Sequence, residues 1–570
     1  AGHVAPFVGG GTLKISLRHK GEDLTFQWMR GGVPLNNGDL GGRISGADTA
    51  TLKILKFKAS DLAAGALFTC RITLGDNELT TGDYEARVQS APQIVAATSP
   101  PVMMTSAPVD WDISNLVGQT NAQEENLPTR YTITGLPKGL TYDRNTGRIT
   151  GIPKVTGLTK VKLTITATNA KGSGKATVTL DFRSLPAASY GKFVGLVSRH
   201  PALNEQLGSR VDISITSLGS MTAKMMTGKI TRPMRGEYYH ASTTGSNFVA
   251  RLNTSDGQSP LLSLWISINP TNGTLQGDLS QETGGSQILT LFNGHRIPWR
   301  STAPVTLATH LAFRYTASFA PLATAEPTYP QGHATLAGSV SSLGVFSGTV
   351  RFQNGAPGTF SLPLGMGGDA LLYLPSSDNT ASLHGSGSFS VQLPASAHIN
   401  GTATYHQGPQ PAASFTRSYK AGVPLHTLSL TGGRWTKPAV PNLPLGLQDL
   451  GQHNAWLEFS RAFIDTSSLQ AGGIFAVPIR LKATPFAASA FHTLPAPGGI
   501  TFSLNLTTGE FQGSFTSTDP HPILSGDTVD RKASYFGVMI ERLGAGYGHF
   551  NLPTLPSAAE PDEAKTPILS

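Results

Sequence analysis

Four acidic side chains, Asp212, Glu237, Glu458 and Glu510, sit in strand-like surroundings. Two carboxylates held about 5–10 Å apart by a fold are what a glycosidase requires, whatever their separation in sequence. Acids are few in this chain, however, and mostly lie beside turns, and the long loops from which pockets are built are not evident. Histidines are equally dispersed: His200, His240, His295, His310, His333, His384, His406 and His426 share no ligand spacing. No His-Glu-x-x-His, Cys-x-x-Cys or phosphate-binding Gly-x-x-x-x-Gly-Lys-Ser/Thr occurs, nor a Gly-x-Ser-x-Gly at a strand-to-helix turn. No catalytic, cofactor-binding or metal residue is assigned, and the chain reads as a non-enzyme, with an unrecognised hydrolase as the weakest alternative.

Asp143, Asn145 and Gly147 hint at calcium, but one carboxylate and one amide fall short of the roughly six to eight oxygens that ion takes. Asx residues before Gly at a hairpin tip are the ordinary turn solution, so a turn is expected there. Trp28 and Trp265 read as core. Trp111, Trp299, Trp435 and Trp456 lie near Pro, Arg or Asn and are expected to be partly exposed, packing between domains rather than forming a platform for sugar rings. Cys70 is the single cysteine, so no intramolecular disulfide can form, and it is expected as a buried small hydrophobe against Trp28.

The elements that must carry these residues are hairpins. A glycine, one residue, an apolar residue, one residue and a second glycine recur as Gly273–Gly277, Gly344–Gly348 and Gly509–Gly513, with a looser echo at Gly219–Ala223. The first glycine supplies the positive φ of a tight turn, and the alternation beside it is the period of a half-buried strand. Only 14% of the 570 residues are charged, while 64 Gly and 39 Pro favour turns over helices. The predicted class is all-β: two tandem immunoglobulin-like sandwiches, then antiparallel Gly-rich barrel or sandwich modules. The net charge of +8 is spread without clusters, which argues against nucleic acid. No run of 18 apolar residues exists, so no membrane-spanning helix is expected. The start at Ala1-Gly2-His3, without Met or a visible signal peptide, is what a mature product or an internal fragment would show.

Residues 1–90 form the first expected domain. Its strand order, with Trp28 and Cys70 at the Trp and strand-F cysteine positions, resembles the intermediate-set immunoglobulin fold. Ile15 or Leu17 stands where the partner cysteine would be, and Phe68 replaces the corner tyrosine. Residues 91–183 carry GLPKGLTYDRNTGRITGIP, which resembles the cadherin-like immunoglobulin domains of bacterial surface proteins. After a linker at 183–190, GKFVGLV, LGVFSGTVRFQNGAPGTFSLPL, LTTGEFQGSF and GAGYGHFNLPTLP resemble a Gly-rich β module of large exported bacterial proteins. That module is divided here into 190–325 and 330–556, followed by an extended arm at 557–570.

These resemblances imply an extracellular or cell-surface structural or adhesion protein, expected as an adhesin or the subunit of a homomeric or filamentous assembly. Other copies of the chain are the expected partners, joined by strand addition through the C-terminal arm or the residues before Gly9. A glycan-binding module of a larger secreted protein, engaging cell-surface polysaccharide, is the rival reading.

Overall fold

The structure, a computed structural model, describes residues 3–8, 11–58, 60–61, 67–89, 91–95, 102–116, 127–155, 159–241, 247–283, 286–302, 305–322, 328–390, 397–411, 417–460, 474–483, 486–490 and 498–569. Side chains at 3–8, 87–89, 237–241, 283, 460, 474–475, 486, 488–490 and 498 lie outside the description. The chain is all-β and divides into two compact units, Ala1–Leu185 and Pro186–Ser570, with the cut inside the linker expected at 183–190.

Unit 1 holds two sandwiches. In the first, Thr25–Arg30, Leu67–Leu74 and Tyr84–Gln89 lie in one sheet, and Leu13–Ser16, Thr51–Ile54 and Ile44–Ser45 form the other. Trp28 and Cys70 are register partners in fully buried positions, and Leu13 and Ile15 fill the space across from them. Two apolar residues thus occupy the volume a disulfide would take. The residues before Gly9, expected as a free arm, instead run as His3–Val8 in parallel with Tyr84–Gln89. Pro6 is tolerated because this is an edge strand. In the second sandwich Thr159–Asn169 and Gly172–Arg183 pair along their lengths, opposite the sheet of Val109–Asp112, Arg148–Gly151 and Leu140–Tyr142.

Unit 2 contains three consecutive β modules. The first is a closed barrel of eight strands from Gly191–Val197 to Ser286–Ile297, sealed because those two strands also pair with each other. Val211, Ile213, Leu252, Leu264 and Phe292 fill its interior, while Arg210, Asp212, Lys224 and Arg251 point outward. Apolar inside and largely polar outside is the reverse of a membrane-spanning barrel. The second is an eight-stranded sheet whose chain-order first and last strands, Arg314–Pro321 and Val423–Arg434, pair, and whose edges meet at the Leu364–Ala370 bridge. The boundary expected at 325–330 therefore falls inside this module, after its first strand.

The third module gathers eight strands among the described residues, seven from Ala455–Ser460 to Ala545–Pro553 and the short Ile568–Leu569, in sheets of three and five around one core of Leu457, Phe459, Ile479, Phe515, Tyr535 and Phe550. The region 330–556 is thus most of one module and all of another. Its tail is not a free arm. Ile568–Leu569 pairs antiparallel with Leu552–Pro553, and Arg417 donates to Thr566 O (2.5 Å) and Glu563 O (3.0 Å).

The repeated glycine device is each time a turn closed by a left-handed glycine, one residue shorter at Gly344, whose amide donates to Ser341 O, than at Gly273 and Gly509. Gly273, Gly344 and Gly509 have φ of 73°, 65° and 77°. In the turns at Asn269 and Asn505, the Asn carbonyl accepts from the glycine amide, and the Asn amide donates to the residue after that glycine. Asp143 and Gly147 make this identical turn in the second sandwich.

Candidate functional site

Along Ala455–Ser460, Leu457 and Phe459 face the third core, while Trp456 and Glu458 turn outward. Among the described residues this strand pairs with Ile474–Ala483. Among the described residues no ladder joins its other edge to Ala545–Pro553, and a cleft of about 700 Å³ bordered by both strands opens from there into the core. Its apolar walls come from Leu457, Phe459, Tyr535, Phe550, Phe502 and Phe511, and its polar groups from Asn454, Glu458, His333 and His549. His549 Nδ1 lies 2.9 Å from His333 O, and burial pushes its pKa down to about 4. Burial thus keeps this imidazole neutral at neutral pH, among walls that are mostly apolar.

A smaller polar pocket of about 250 Å³ lies between the second and third modules. Outward residues of neighbouring strands converge there: Thr335 and Arg351 from one module, Ser503, Asn505, Glu510 and Gln512 from the other. Arg351 lies 4.2 Å over the Phe536 ring, and Thr349 Oγ1 donates to Glu510 Oε1 at 2.9 Å. A carboxylate, amides and hydroxyls beside a guanidinium can exchange hydrogen bonds with a polyhydroxylated ligand.

The residues singled out from the sequence are dispersed. Burial pushes the Cys70 thiol up to about 11, so it is an inert core group. Asp143 Oδ1 accepts from the amides of Asn145 (2.7 Å) and Thr146 (2.8 Å), which hold its pKa below the usual range and close the expected turn. Asp212 pairs with Arg210 at 2.8 Å in the first barrel, whereas Glu458 and Glu510 line the two different pockets of the third module. Glu237 and His240 lie outside the described side chains. Among the described residues no three His, Cys, Asp or Glu side chains gather as a metal site.

The tryptophans need correcting. Trp265 is 44% exposed, not core, because it shares its side of the strand with Ser263 and Ser267. Trp299 and Trp435 are buried, not half-exposed. Each follows the last strand of one module and covers the turn glycine of the next, Gly344 or Gly509, its indole N–H donating to Leu364 O (2.8 Å) or Leu506 O (3.1 Å). Trp111 is half-buried against its own core, and Trp456 is exposed beside the cleft.

One group escaped sequence reading. Arg199, pushed down to about 10 by burial, donates to Thr404 Oγ1 and O, Ser382 Oγ and O, and Gln206 O at 2.5–3.0 Å. It ties the first barrel to the second module without a carboxylate. No local pattern marks it, since its partners lie 183 and 205 residues away.

Residues 91–183 match a family model described as "Putative Ig domain". No curated protein matches the chain. Similar solved structures include the insect immune protein hemolin, 10% identical, covering 51% of this chain and 97% of that one at a TM-score of 0.22. The N-terminal four Ig domains of Dscam1 isoform 8.4 are 10% identical, with 51% and 96% covered and a TM-score of 0.23. Drosophila OTK extracellular domains 3–5 are 13% identical, with 40% and 92% covered and a TM-score of 0.17. At such scores the immunoglobulin-like architecture of unit 1 rests on its own strand order and on the family match.

Proposed function

We propose that the chain is a non-catalytic structural or adhesive part of an exported, cell-surface protein that acts together with other copies of itself. The observation that carries this reading is the way consecutive modules of unit 2 are fixed to one another. Trp299 seats on Gly344, Trp435 on Gly509, and Arg199 spends its donors on a neighbouring module. Large, desolvated side chains are thus used to hold modules in one arrangement rather than to meet a substrate. Both termini that could have linked copies are engaged within the chain, so self-association falls to the remaining sheet edges. Brief treatment of intact cells producing the native protein with an impermeant protease should remove it. Digestion only after lysis would overturn the assignment.

The polar pocket at Arg351 and Glu510 favours a second reading, glycan binding. Titration of the full chain with surface polysaccharide fragments should then give binding that E510Q weakens at least fivefold. Equal binding by both proteins removes this pocket as the site.

A further inference from the structure

We infer that the outer wall of the first barrel binds a neutral glycan, with a pyranose ring laid on the Trp265 indole and its hydroxyls bonded by Asp278 and Arg251. The site follows from register. Arg251 pairs with Trp265, Trp265 with Asp278, and Asp278 with Leu291, so four neighbouring strands set these side chains in one row. The row faces outward, because the chain neighbours Leu252, Leu264, Leu279 and Phe292 are fully buried inside the barrel. On the same face, the next row to one side adds Ser263 and Ser280, and the row to the other adds Ser267, Gln276 and Asn293. Four strands and three rows span about 14 Å each way, which suits a short oligosaccharide better than a single ring.

Three observations on this wall point to a ligand. The first is the indole. Trp265 is 44% exposed amid hydroxyl, amide and charged groups, and among the described residues it makes no ring contact and its N–H has no acceptor. An indole offers both a broad apolar surface for the C–H face of a sugar and a donor at its rim. The second is the Asp278 carboxylate. It is half-buried next to that indole, burial raises its pKa, and among the described residues it has neither a hydrogen-bond donor nor a cation. A partly desolvated acceptor left without donors is unfavourable, and ligand hydroxyls relieve that cost. The third is order in the surrounding polar groups. Arg251 Nη2 donates to Ser263 Oγ (3.2 Å), Ser263 Oγ to Asn253 Oδ1 (2.7 Å), and Asn247 Nδ2 to Ser267 Oγ (3.1 Å). Side chains already held in place lose little freedom when a ligand arrives.

Charge selects the ligand class. Arg251 and Asp278 are the register partners of Trp265 on its two sides. An anionic ring meets Asp278, and a cationic side chain drawn to the indole meets Arg251. A neutral polyhydroxylated ring meets neither repulsion, and it uses the carboxylate as acceptor and the guanidinium as donor. This wall belongs to a different module from the pocket at Arg351 and Glu510, so the inference does not rest on glycan binding there.

The test is calorimetric titration of the full chain with three neutral hexasaccharides: cellohexaose, β-1,4-mannohexaose and maltohexaose. Binding of at least one is expected. Trp265→Ala should weaken it at least tenfold, and Asp278→Asn, which keeps the shape but not the charge, at least threefold. Thermal melts of Trp265→Ala should match the parent, since this indole is exposed, and Trp456→Ala, at an exposed indole of the third module, should keep affinity within twofold. Absence of binding by all three sugars at millimolar concentration overturns the inference, as does unchanged affinity in Trp265→Ala or an equal loss in Trp456→Ala. Loss in Glu510→Gln with retention in Trp265→Ala also overturns it and assigns the glycan to the other pocket. Tighter binding of hexalysine or hexagalacturonate than of any neutral sugar overturns it too, because the wall would then select by charge.

Discussion

In the first barrel Gly191–Val197 is bonded on both sides, to Ser209–Ile215 and to Ser286–Ile297, and the interior is filled by its own side chains. In the third module the described residues pair with Ala455–Ser460 on one side, and the core opens into a cleft. The two regions share hairpin chemistry, alternation and turn glycines. Closure therefore does not follow from local sequence rules; it follows from whether the strand count and tilt let the last strand reach the first. A closed barrel has no edge to offer, whereas the described strands of the third module border a cleft where their two sheets part.

Breaking a fully buried ion pair of the third module should have the largest effect. Arg531 and Asp519 meet at 2.7 Å with side chains 4% and 2% exposed. Asp519→Ala strands a buried guanidinium and should cost about 3–5 kcal/mol, read as an early urea transition of the third module that leaves the first barrel's transition in place. A single coincident shift of both transitions would show that the two barrels unfold as one.

Matched truncations sharpen the contrast. Leu264, fully buried in the closed barrel, should cost about 3–5 kcal/mol on replacement by Ala. Leu457 already borders the cleft, so Leu457→Ala should cost about half as much. Equal losses in urea titrations would mean that the cleft is filled in solution.

At the joint into the open module, Gly509 has φ 77°, and a Cβ there would stand 2.8 Å from the Trp435 ring. Gly509→Ala should cost about 1–2 kcal/mol from the left-handed backbone, plus the collision. A double-mutant cycle with Trp435→Ala should recover only the collision part.

The smallest effect is on pH dependence. His549 in the third module and His384, where the first barrel meets the second, are both held near 4 by burial. The unfolded chain binds these protons first, so stability declines as pH falls from about 6.5 towards 4, by at most about 1.4 kcal/mol per pH unit for each group. His549→Gln should flatten that slope between pH 6.5 and 5 in thermal melts of the third module, and an unchanged slope would assign the loss to other groups.

Much of this architecture could be read from the chain, and the limits have physical causes. Trp28 against Cys70, the linker near 185 and the glycine turns were legible because each is set by a few neighbouring residues or by a known core position. The outward face of Trp265 was legible too, since Ser263 and Ser267 share its parity, but the apolar neighbours outweighed the pattern. Strand His3–Val8 was hidden by Pro6 and by a parallel partner about 80 residues on. The cleft has no local signature at all, because Leu457 and Phe459 alternate just as closed-barrel residues do. What makes it is the failure of two strands about 90 residues apart to pair.

The parallel pairing of His3–Val8 with Tyr84–Gln89 also bears on force. A pull applied to the two ends of this sandwich drags the first strand toward one end of the sheet and the last strand toward the other. The six register pairs from His3–Tyr84 to Val8–Gln89 are then loaded together in shear, rather than unzipped one by one. In the second sandwich the corresponding parallel contact, Met103–Met104 with Phe182–Arg183, spans two pairs among the described residues. Under tension the second sandwich would yield first and act as a mechanical fuse, leaving the first intact.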